Sequence, residues 1–407
     1  MQAKDLKSIY PLQKGTRISN LEHYLKDLIS KTGKISSKDF INLCLYGKNG
    51  YYSYTRNFKN AYFKDFATAP LTHPLFGYLI SLFLDKLIKS FDEKEEIIIY
   101  EFGAGNGTLA YDITNGLKKI GQSKFEYKAI DVTDSDSIFP VKSKLYNKKK
   151  SNGIIITNEL FDALPHHLFS IKDGVVFEKY VQTKNNNFSE IIEAPSDSCI
   201  EDRLSQISYD LDNIQGEIIC KKNKIMNQFK SVLDKGYLLT IDYGMKEKDL
   251  FYNGKKNTFM SVISNHSFQD NYFHTPGLSD ITFQVDMEDL NNEFQKIGFS
   301  NNFISSQRQF LYDLGLGEAL LHLSKLEINQ EEIIKNRYAI NQLIKPNGMG
   351  NYFVRLDSNF DNSISFDELE FNQNHVKMFP LLEQFPQRFE LPSIYNQNII
   401  VNEELNK

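Results

Sequence analysis

Between residues 97 and 244 the apolar residues fall in short continuous runs that are separated by stretches with helical spacing. The runs are IIIY at 97–100, YKAID at 127–131, GIIIT at 153–157 and GYLLTIDYG at 236–244. Because these runs do not alternate with polar residues, they are typical of strands covered on both faces, as in a parallel sheet with crossover helices. The pattern therefore predicts an α/β core over residues 91–244.

The segment before this core has the spacing of helices. Leu21, Tyr24, Leu25 and Leu28 share one helical face, and a second helical pattern covers 39–45. We therefore expect a helical N-terminal lobe over residues 1–90.

The segment after the core predicts a second lobe and then a return of the chain to the sheet. We expect residues 245–340 to form an inserted lobe on the substrate side. GNYFVRL at 350–356 has the composition of a strand, so residues 341–356 are expected to rejoin the core. No pattern assigns a role to the C-terminal tail at 357–407.

The composition excludes several classes of partner. The chain has 407 residues and a formal net charge of −5, so no global basic field favours a nucleic acid. The longest apolar run, LFGYLISLFL at 75–84, is about half the length that a membrane span requires, and the first residues contain no apolar signal segment. We expect a soluble, unsecreted protein, cytoplasmic in a bacterium or in an organellar matrix in a eukaryote.

The cysteines and histidines do not indicate a metal. Cys44, Cys199 and Cys220 are few and widely spaced, which predicts neither a disulfide framework nor a thiolate metal site and fits a reducing compartment. The histidines show no metal-ligand spacing with acids.

The first apolar run ends in an acid that is followed by three glycines at alternate positions, EFGAGNGTL at 101–109. Dinucleotide folds use G-x-G-x-x-G at this strand-to-helix turn. The spacing here is G-x-G-x-G, which fits a loop that admits S-adenosylmethionine, with the acid near the cationic amino-acid end. The residues concerned are Glu101, Gly103, Gly105 and Gly107. A tight turn with a chance glycine spacing is the alternative.

A second acid supports the donor site. The next strand ends at Asp131, where a carboxylate can accept hydrogen bonds from both hydroxyls of a ribose. Because the carboxyl ends of parallel strands meet at one edge of a sheet, Asp131 is expected to lie beside the glycine loop.

The third run delivers polar side chains to the same edge, in IIITNELFDALPHH at 154–167. Glu159 and Asp162 are three residues apart, so on a helical turn both would face one site. Paired carboxylates match a planar, cationic guanidinium and can orient one of its nitrogens toward a donor methyl. We predict Asn158, Glu159 and Asp162 as catalytic residues. The alternative is that Glu159 caps a helix and Asp162 binds a backbone amide.

Three further polar residues are candidates for the same cleft. Asp242 and Tyr243 end the fourth run, and Asp280 begins DITFQVD at 280–286. Each of these is also of a type that commonly serves loops and caps.

At this point the chain resembles the MidA-like methyltransferases, which include the mitochondrial complex I assembly-factor arginine methyltransferases. The shared motifs, in order, are LYGKNGYYS at 45–53, DFATAPLTHPLFG at 65–77, EFGAGNGTL, NELFDALP at 158–165, LLTIDYG at 238–244, PGLSDITFQVD at 276–286, SSQRQFLYDLGL at 305–316 and MGNYFV at 349–354. The resemblance covers roughly residues 35–356. NELFDALP is its most specific motif, because many unrelated methyltransferases share the glycine loop.

The resemblance implies a Rossmann-like class I methyltransferase sheet, with a helical N-terminal lobe and an inserted second lobe. It implies S-adenosyl-L-methionine as cofactor and arginine on a partner protein, of the respiratory complex I subunit type, as acceptor. It also implies a donor-site loop that contains Phe66 and Thr68. A homodimer is possible.

Two departures from the family pattern affect the acceptor side. An acid that is usual in the family is Leu71 here, and a usual histidine is Gln284. Two other functions therefore stay open: methylation of a small molecule or another side chain, and an assembly factor that acts mainly by holding a client.

Overall fold

The computed structural model describes residues 20–55, 68–92, 94–132, 140–143, 149–207, 211, 213–220, 222–251, 259–264, 267–360, 378 and 380–382. Its helices are α1 (20–32), α2 (Ser37–Tyr46), α3 (Tyr51–Thr55), α4 (Ala69–Thr72), α5 (Leu75–Lys89), α6 (Thr108–Lys119), α7 (Cys199–Ser205), α8 (Asn223–Val232), α9 (Glu247–Phe251), α10 (Met287–Lys296), α11 (Gln307–Asp313), α12 (Leu316–Leu323) and α13 (Gln330–Leu343). Its strands are β1 (Ile35–Ser36), β2 (Ile97–Phe102), β3 (Phe125–Ile130), β4 (Val141–Lys142), β5 (Ser151–Asn158), β6 (His167–Lys172), β7 (Val175–Lys184), β8 (Asn187–Glu193), β9 (Gln215–Ile218), β10 (Leu233–Asp242), β11 (Gly244–Met245), β12 (Ser261–Ser264), β13 (Ser267–Phe268), β14 (Asp280–Thr282), β15 (Val285–Asp286), β16 (Ser300–Ser306) and β17 (Phe353–Ser358).

A central sheet contains the strands predicted from the apolar runs, in the order β4-β3-β2-β5-β10-β17-β16. The strands from β4 to β10 run parallel, and β17 runs antiparallel between β10 and β16. Ile154, Ile155 and Ile156 of β5 are all 0% exposed, so both faces of this strand are covered. The α/β class is confirmed. The strands are covered on both faces, as the continuous apolar runs indicated.

The strand order places a crevice at one edge of this sheet. From β2 the chain continues outward to β3 and β4, whereas β5 lies on the other side of β2 and leads to β10. The loops after β2, β3, β5 and β10 therefore meet where the direction of winding reverses, which is the usual ligand position in open α/β sheets.

The longest apolar run lies in α5, a core helix of the central layer. Thirteen of its fifteen residues are buried, and it packs with α6 and the central strands in the largest apolar cluster. None of the helices in the described part of the chain is long and apolar enough to cross a membrane.

Four strands of a second, antiparallel sheet are inserted between β5 and β10, inside the range predicted as a single core, and β1 joins them from the N-terminal segment. The order of this sheet is β1-β7-β6-β9, with β8 paired to β7. Leu25 of α1 and Phe40 of α2 pack against Leu168 and Val181 of this sheet. The N-terminal helices therefore cover the second sheet, while α5 covers the central one, so the described part of residues 1–90 is not a single lobe. Tyr24, predicted on the buried face of α1, is 52% exposed.

A tight hairpin explains why β7 and β8 were not apparent from the sequence. The turn residues Asn185 and Asn186 have φ of 51° and 63°, as a two-residue turn that matches the twist of its strands requires. Asparagine tolerates this left-handed conformation, so a polar stretch that reads as a loop is a strand connection.

The predicted inserted lobe at 245–340 is wrong in its C-terminal part. Strand β16 pairs with β17 at the edge of the central sheet. Phe310, Leu311 and Leu343, which belong to α11 and α13, pack into the apolar cluster of that sheet. The apolar residues of this segment thus complete the central layer instead of a separate lobe.

The predicted boundary at 357 is also wrong, because β17 continues to Ser358. Asp357 is 0% exposed and its Oδ2 accepts a hydrogen bond from Nε of Arg355 at 2.7 Å, while Arg355 is 1% exposed. Phe360 packs against Phe91 and Tyr237, with ring centroids 5.6 Å and 5.1 Å away. These residues belong to the central layer.

The cysteines depart from the expectation as well. Cys199 and Cys220 are joined as a disulfide across 21 residues, whereas Cys44 is a free, buried thiol in α2. The fold brings together two positions that the sequence separates.

We expect Asp357→Ala to lower the free energy of unfolding by about 3–5 kcal/mol, because it leaves the buried Arg355 guanidinium without its counter-charge. Chemical denaturation measures the change. The control is Glu331→Ala, which removes an exposed pair with Lys335 on α13 and should leave stability nearly unchanged. The double variant Arg355→Met with Asp357→Leu should recover much of the loss, and equal losses in Asp357→Ala and Glu331→Ala would contradict this account.

Candidate functional site

The loops at the carboxyl edge of the central sheet enclose a cavity of about 760 Å³. Most of the residues selected from the sequence lie along its wall. They are Thr68, Glu101, Gly103, Gly105, Asp131, Asn158, Glu159 and Asp162. Gly107 is not among the lining residues, and Phe66 lies outside the described residues. Donor-side and acceptor-side candidates thus face one space.

The glycine loop turns in a way that requires glycine. Gly103, Gly105 and Gly107 have φ of 78°, 57° and 79°, a left-handed conformation that strains residues with a side chain. Gly107 is the N-cap of α6, and the N–H groups of Gly103 and Ala104 donate to the carbonyl of Ile130 at 2.9 Å and 3.1 Å. The loop therefore presents bare backbone to the cavity.

Asp131 fixes this loop. Its Oδ2 accepts a hydrogen bond from the Gly105 N–H at 2.7 Å, and its Oδ1 accepts one from the Val132 N–H. The carboxylate also lines the cavity. Asp131 thus ties the end of β3 to the glycine loop, in addition to facing the space where a ribose is expected.

Glu101 is a buried acid beneath the loop, with 3% exposure. Its pKa is raised to about 8, mainly by burial and also by the charges of Asp131 and Asp112, while a hydrogen bond from the Tyr127 hydroxyl at 2.8 Å opposes the shift. A cation in the cavity would favour the ionised form of Glu101. This arrangement suits an ammonium group on the ligand.

The segment that carries Glu159 and Asp162 is a turn and not the helix that their spacing predicted. Glu159 has φ of 51°, an uncommon conformation for a residue with a side chain, and its N–H donates to the carbonyl of Ile241 at 2.9 Å. Both acids nevertheless line the cavity. No helix starts at Glu159, but its carboxylate accepts a hydrogen bond from the backbone N–H of Ala69, the first residue of α4, so Glu159 binds the N-terminus of a helix from a distant part of the chain.

Asp242, at the end of β10, holds this turn in place. Its carboxylate accepts hydrogen bonds from the backbone N–H groups of Leu160 and Phe161, at 3.2 Å and 2.9 Å, and from that of Tyr243 at 2.9 Å. Burial raises the pKa of Asp242 to about 7 against the opposing effect of these bonds. Asp242 therefore binds backbone amides, the role that was the alternative for Asp162.

The two acids beside Asp242 are crowded, and neither forms an ion pair with another of the residues that the structure describes. Burial raises the pKa of Glu159 to about 8, with a further contribution from the Asp242 charge. Burial and the charges of Asp242 and Glu159 raise the pKa of Asp162 well above its usual range. Asp162 Oδ1 and Asn158 Oδ1 are buried and have no hydrogen-bond partner among the residues that the structure describes. Each of these two oxygens can accept a hydrogen bond from a group bound in the cavity.

Several tyrosines line the cavity near Glu159 and Asp162, among them Tyr46, Tyr52 and Tyr243. Tyr46 and Tyr52 stack with ring centroids 5.4 Å apart, and the Tyr52 hydroxyl donates to Asp280 at 2.7 Å. The Tyr243 hydroxyl donates to Glu159 at 3.3 Å, and its ring lies 4.5 Å from that of Tyr352. The sequence patterns had left out Tyr46 and Tyr52 as site residues, although both stand in LYGKNGYYS, a motif shared with the family. Tyr352 packs behind Tyr243 and is not among the lining residues.

One of the two departures from the family pattern reaches the cavity. Leu71 lines the wall and is 4% exposed. Gln284 is half-buried and is not among the lining residues. The apolar residue in place of an acid thus alters the cavity wall itself.

Comparison with known proteins places this site in a family. Residues 79–302 match the family described as "Putative S-adenosyl-L-methionine-dependent methyltransferase". The relatives include two proteins named "Protein arginine methyltransferase NDUFAF7 homolog, mitochondrial". The Caenorhabditis elegans protein is 24% identical to this chain, and the match covers 79% of this chain and 83% of the relative. The Drosophila melanogaster protein is 22% identical, and the match covers 82% of this chain and 83% of the relative.

A solved structure has the same fold. It is a Burkholderia thailandensis protein bound to S-adenosyl-homocysteine, with a TM-score of 0.76, 21% identity and coverage of 88% of this chain and 96% of that one. The match of the family spans more than half of the 407 residues. The chain therefore belongs to this family of S-adenosyl-L-methionine-dependent methyltransferases.

Proposed function

We propose that this methyltransferase methylates an arginine side chain of a partner protein. The observation that carries the proposal is one cavity that has a bare glycine loop on one side and two acids, Glu159 and Asp162, on the other; Oδ1 of the buried Asp162 has no hydrogen-bond partner among the described residues. S-adenosylmethionine, when bound, supplies an electrophilic methyl group on a sulfonium.

On the donor side, Glu101 is suited to the ammonium of the amino-acid end and Asp131 to the ribose. The backbone of the loop from Gly103 to Gly107 leaves room for the chain between them, because these positions carry no side chain. Thr68, at the N-terminus of α4, lines the same part of the wall.

On the acceptor side, Glu159 and Asp162 are suited to a guanidinium. This group is planar, always cationic and rich in N–H donors, so it can pair with both acids at once. It would supply the charge that the crowded carboxylates lack and a donor for Asp162 Oδ1. The acids would then orient one guanidinium nitrogen toward the methyl group, and catalysis would rest mainly on position and electrostatics.

The tyrosines support an arginine instead of a smaller cation. The rings of Tyr46, Tyr52 and Tyr243 can cover the faces of a guanidinium through cation–π contact. Because α2, which carries Tyr46, packs on the second sheet, we also propose that this sheet and the N-terminal helices form the substrate side of the molecule.

The curated relatives support the same acceptor and a location. Both are named protein arginine methyltransferases and mitochondrial. We therefore propose an organellar matrix as the site of action, and a respiratory complex I subunit as acceptor stays a prediction of the family resemblance.

We expect Gly105→Val to abolish binding of S-adenosylmethionine, because a branched side chain at this left-handed position would distort the loop and enter the cavity. Isothermal titration measures the affinity. The matched control is Gly121→Val, which also has a positive φ, 83°, but has open space around it and does not line the cavity. The control should be destabilised yet bind the donor, and unchanged affinity in Gly105→Val would refute the donor site.

We expect Glu159→Gln to slow methyl transfer about 10- to 100-fold with little change in donor affinity, since it removes a charge-assisted hydrogen bond worth about 1.5–3 kcal/mol. Asp162→Asn should act in the same direction. The double variant should lose less than the two losses summed if both acids bind one guanidinium. In the assay, each variant is incubated with labelled donor and protein extract, and mass spectrometry identifies the methylated residue.

The control for these variants is Glu217→Gln. Glu217 is another acid whose pKa burial raises, to about 7, but it lies outside the cavity and accepts the Met260 N–H at 2.7 Å. Its variant should transfer methyl groups normally. Normal transfer by Glu159→Gln, or label on lysine or a small molecule, would contradict the guanidinium site.

We expect the free protein to lose stability as the pH rises from about 5 to about 8. The pKa of Glu159 is raised to about 8 in the folded state but is about 4.3 in an unfolded chain. Its neutral form therefore stabilises the fold fully below about 4.3, and that contribution is lost as the pH approaches 8. Glu159→Gln should show a smaller fall in melting temperature over this range, whereas an unchanged profile would contradict the assignment.

A further inference from the structure

Three metal-binding side chains meet at the edge of the second sheet. His167 begins β6, Cys199 begins α7, and Cys220 lies just beyond β9, the strand that pairs with β6. One ring nitrogen of His167 and the two sulfurs all lie within 4.8 Å of one another. Ligand atoms around a tetrahedral zinc ion are separated by roughly 3.3–3.8 Å, given bonds of about 2.0–2.3 Å. The cluster has nearly the dimensions of such a site.

A buried carboxylate orients the histidine. Nδ1 of His167 lies 2.7 Å from Oε1 of Glu178, and Oε2 of Glu178 accepts the Ser196 N–H at 2.6 Å. The side chain of Glu178 is 0% exposed and that of His167 is 3% exposed. Since a carboxylate accepts hydrogen bonds, Nδ1 donates to Glu178, and Nε2 is the ring nitrogen that remains for another partner.

Nε2 of His167 has no hydrogen-bond partner among the described residues, although it is buried. A buried polar nitrogen without a partner is costly. Nε2 is the nitrogen left for a ligand, because Glu178 occupies Nδ1. A carboxylate on one imidazole nitrogen and a metal on the other is the usual arrangement around a histidine that binds zinc.

We propose that His167, Cys199 and Cys220 bind a zinc ion in the reduced protein, and that the Cys199–Cys220 disulfide is the metal-free, oxidised state of the same site. Two thiolates and an imidazole are ligands that select zinc over magnesium or calcium. They supply three positions of a tetrahedron, and water or another ligand takes the fourth.

The two states interconvert by balanced chemistry. An external dithiol breaks the S–S bond, each cysteine sulfur gains a proton, and the dithiol closes to its own disulfide. Zinc then displaces the two thiol protons and binds both thiolates. The disulfide holds only the two cysteines, whereas the metal would also fasten β6 to α7 and to the segment after β9.

Titration of the full-length, untagged chain with Zn²⁺ tests the proposal, with a chromophoric chelator as competitor. After reduction by a dithiol and its removal without air, we expect one zinc per chain and a higher melting temperature with zinc than without. The oxidised chain should bind none. Co²⁺ as a probe should give the intense charge-transfer absorption of thiolate ligands in the reduced chain.

Variants identify the ligands. Cys199→Ser and Cys220→Ser should each lose stoichiometric binding, whereas Cys44→Ser, which removes the buried thiol of α2, should keep it. Glu178→Gln leaves every ligand in place and should weaken zinc binding about 10- to 100-fold. Absence of zinc binding in the reduced chain, equal binding in the oxidised chain, or an equal loss in Cys44→Ser would overturn the proposal. Donor affinity, measured on the same preparations, shows whether each variant is folded and tests the methyltransferase site separately.

Discussion

The carboxylate of Asp242 joins the two central strand ends on which the acceptor side depends. It lies at the end of β10 and binds backbone N–H groups of the turn that follows β5. That turn has no helix to support it, and its first residue, Glu159, has a left-handed backbone. Without the acceptor oxygens of Asp242, the turn would have buried N–H groups without partners, which is a costly arrangement. The positions of Glu159 and Asp162 are therefore set by a residue that lies 83 and 80 positions away from them in the chain.

The same interaction brings the carboxyl groups of Asp242, Glu159 and Asp162 close together. Asp242, Glu159 and Asp162 all have raised pKa values because they are buried near one another. Ionising these groups in the free protein costs stability. Under the proposed function, a cationic side chain in the cavity would lower that cost.

Local patterns in the sequence predicted the features that depend on local chemistry. The buried parallel strands and the glycine loop follow from continuous apolar runs and from φ values that glycine adopts easily. The prediction of a helix at Glu159 and Asp162 was wrong. The distant carboxylate of Asp242 binds the backbone N–H groups of this segment and holds it as a turn, although the two acids have helical spacing. The second sheet was missed because its strands are mixed in character; β8, for example, is largely half-exposed or exposed. Cys199 and Cys220 lie near His167 because β6 pairs with β9. The spacing of residues along the sequence does not predict which strands pair.

The two halves of the cavity differ in how far along the chain their contacts reach. The bonds that shape the donor side, from Gly105 to Asp131 and from Tyr127 to Glu101, each span 26 residues. On the acceptor side the bond from Tyr46 to Ala163 spans 117 residues, and that from Tyr52 to Asp280 spans 228. Because long loops close more slowly than short ones, the donor loop is able to form from one contiguous β-α-β segment during synthesis. The bond from Tyr52 can form only after Asp280 has been synthesised, so the donor loop is able to form before the wall that we propose recognises the partner.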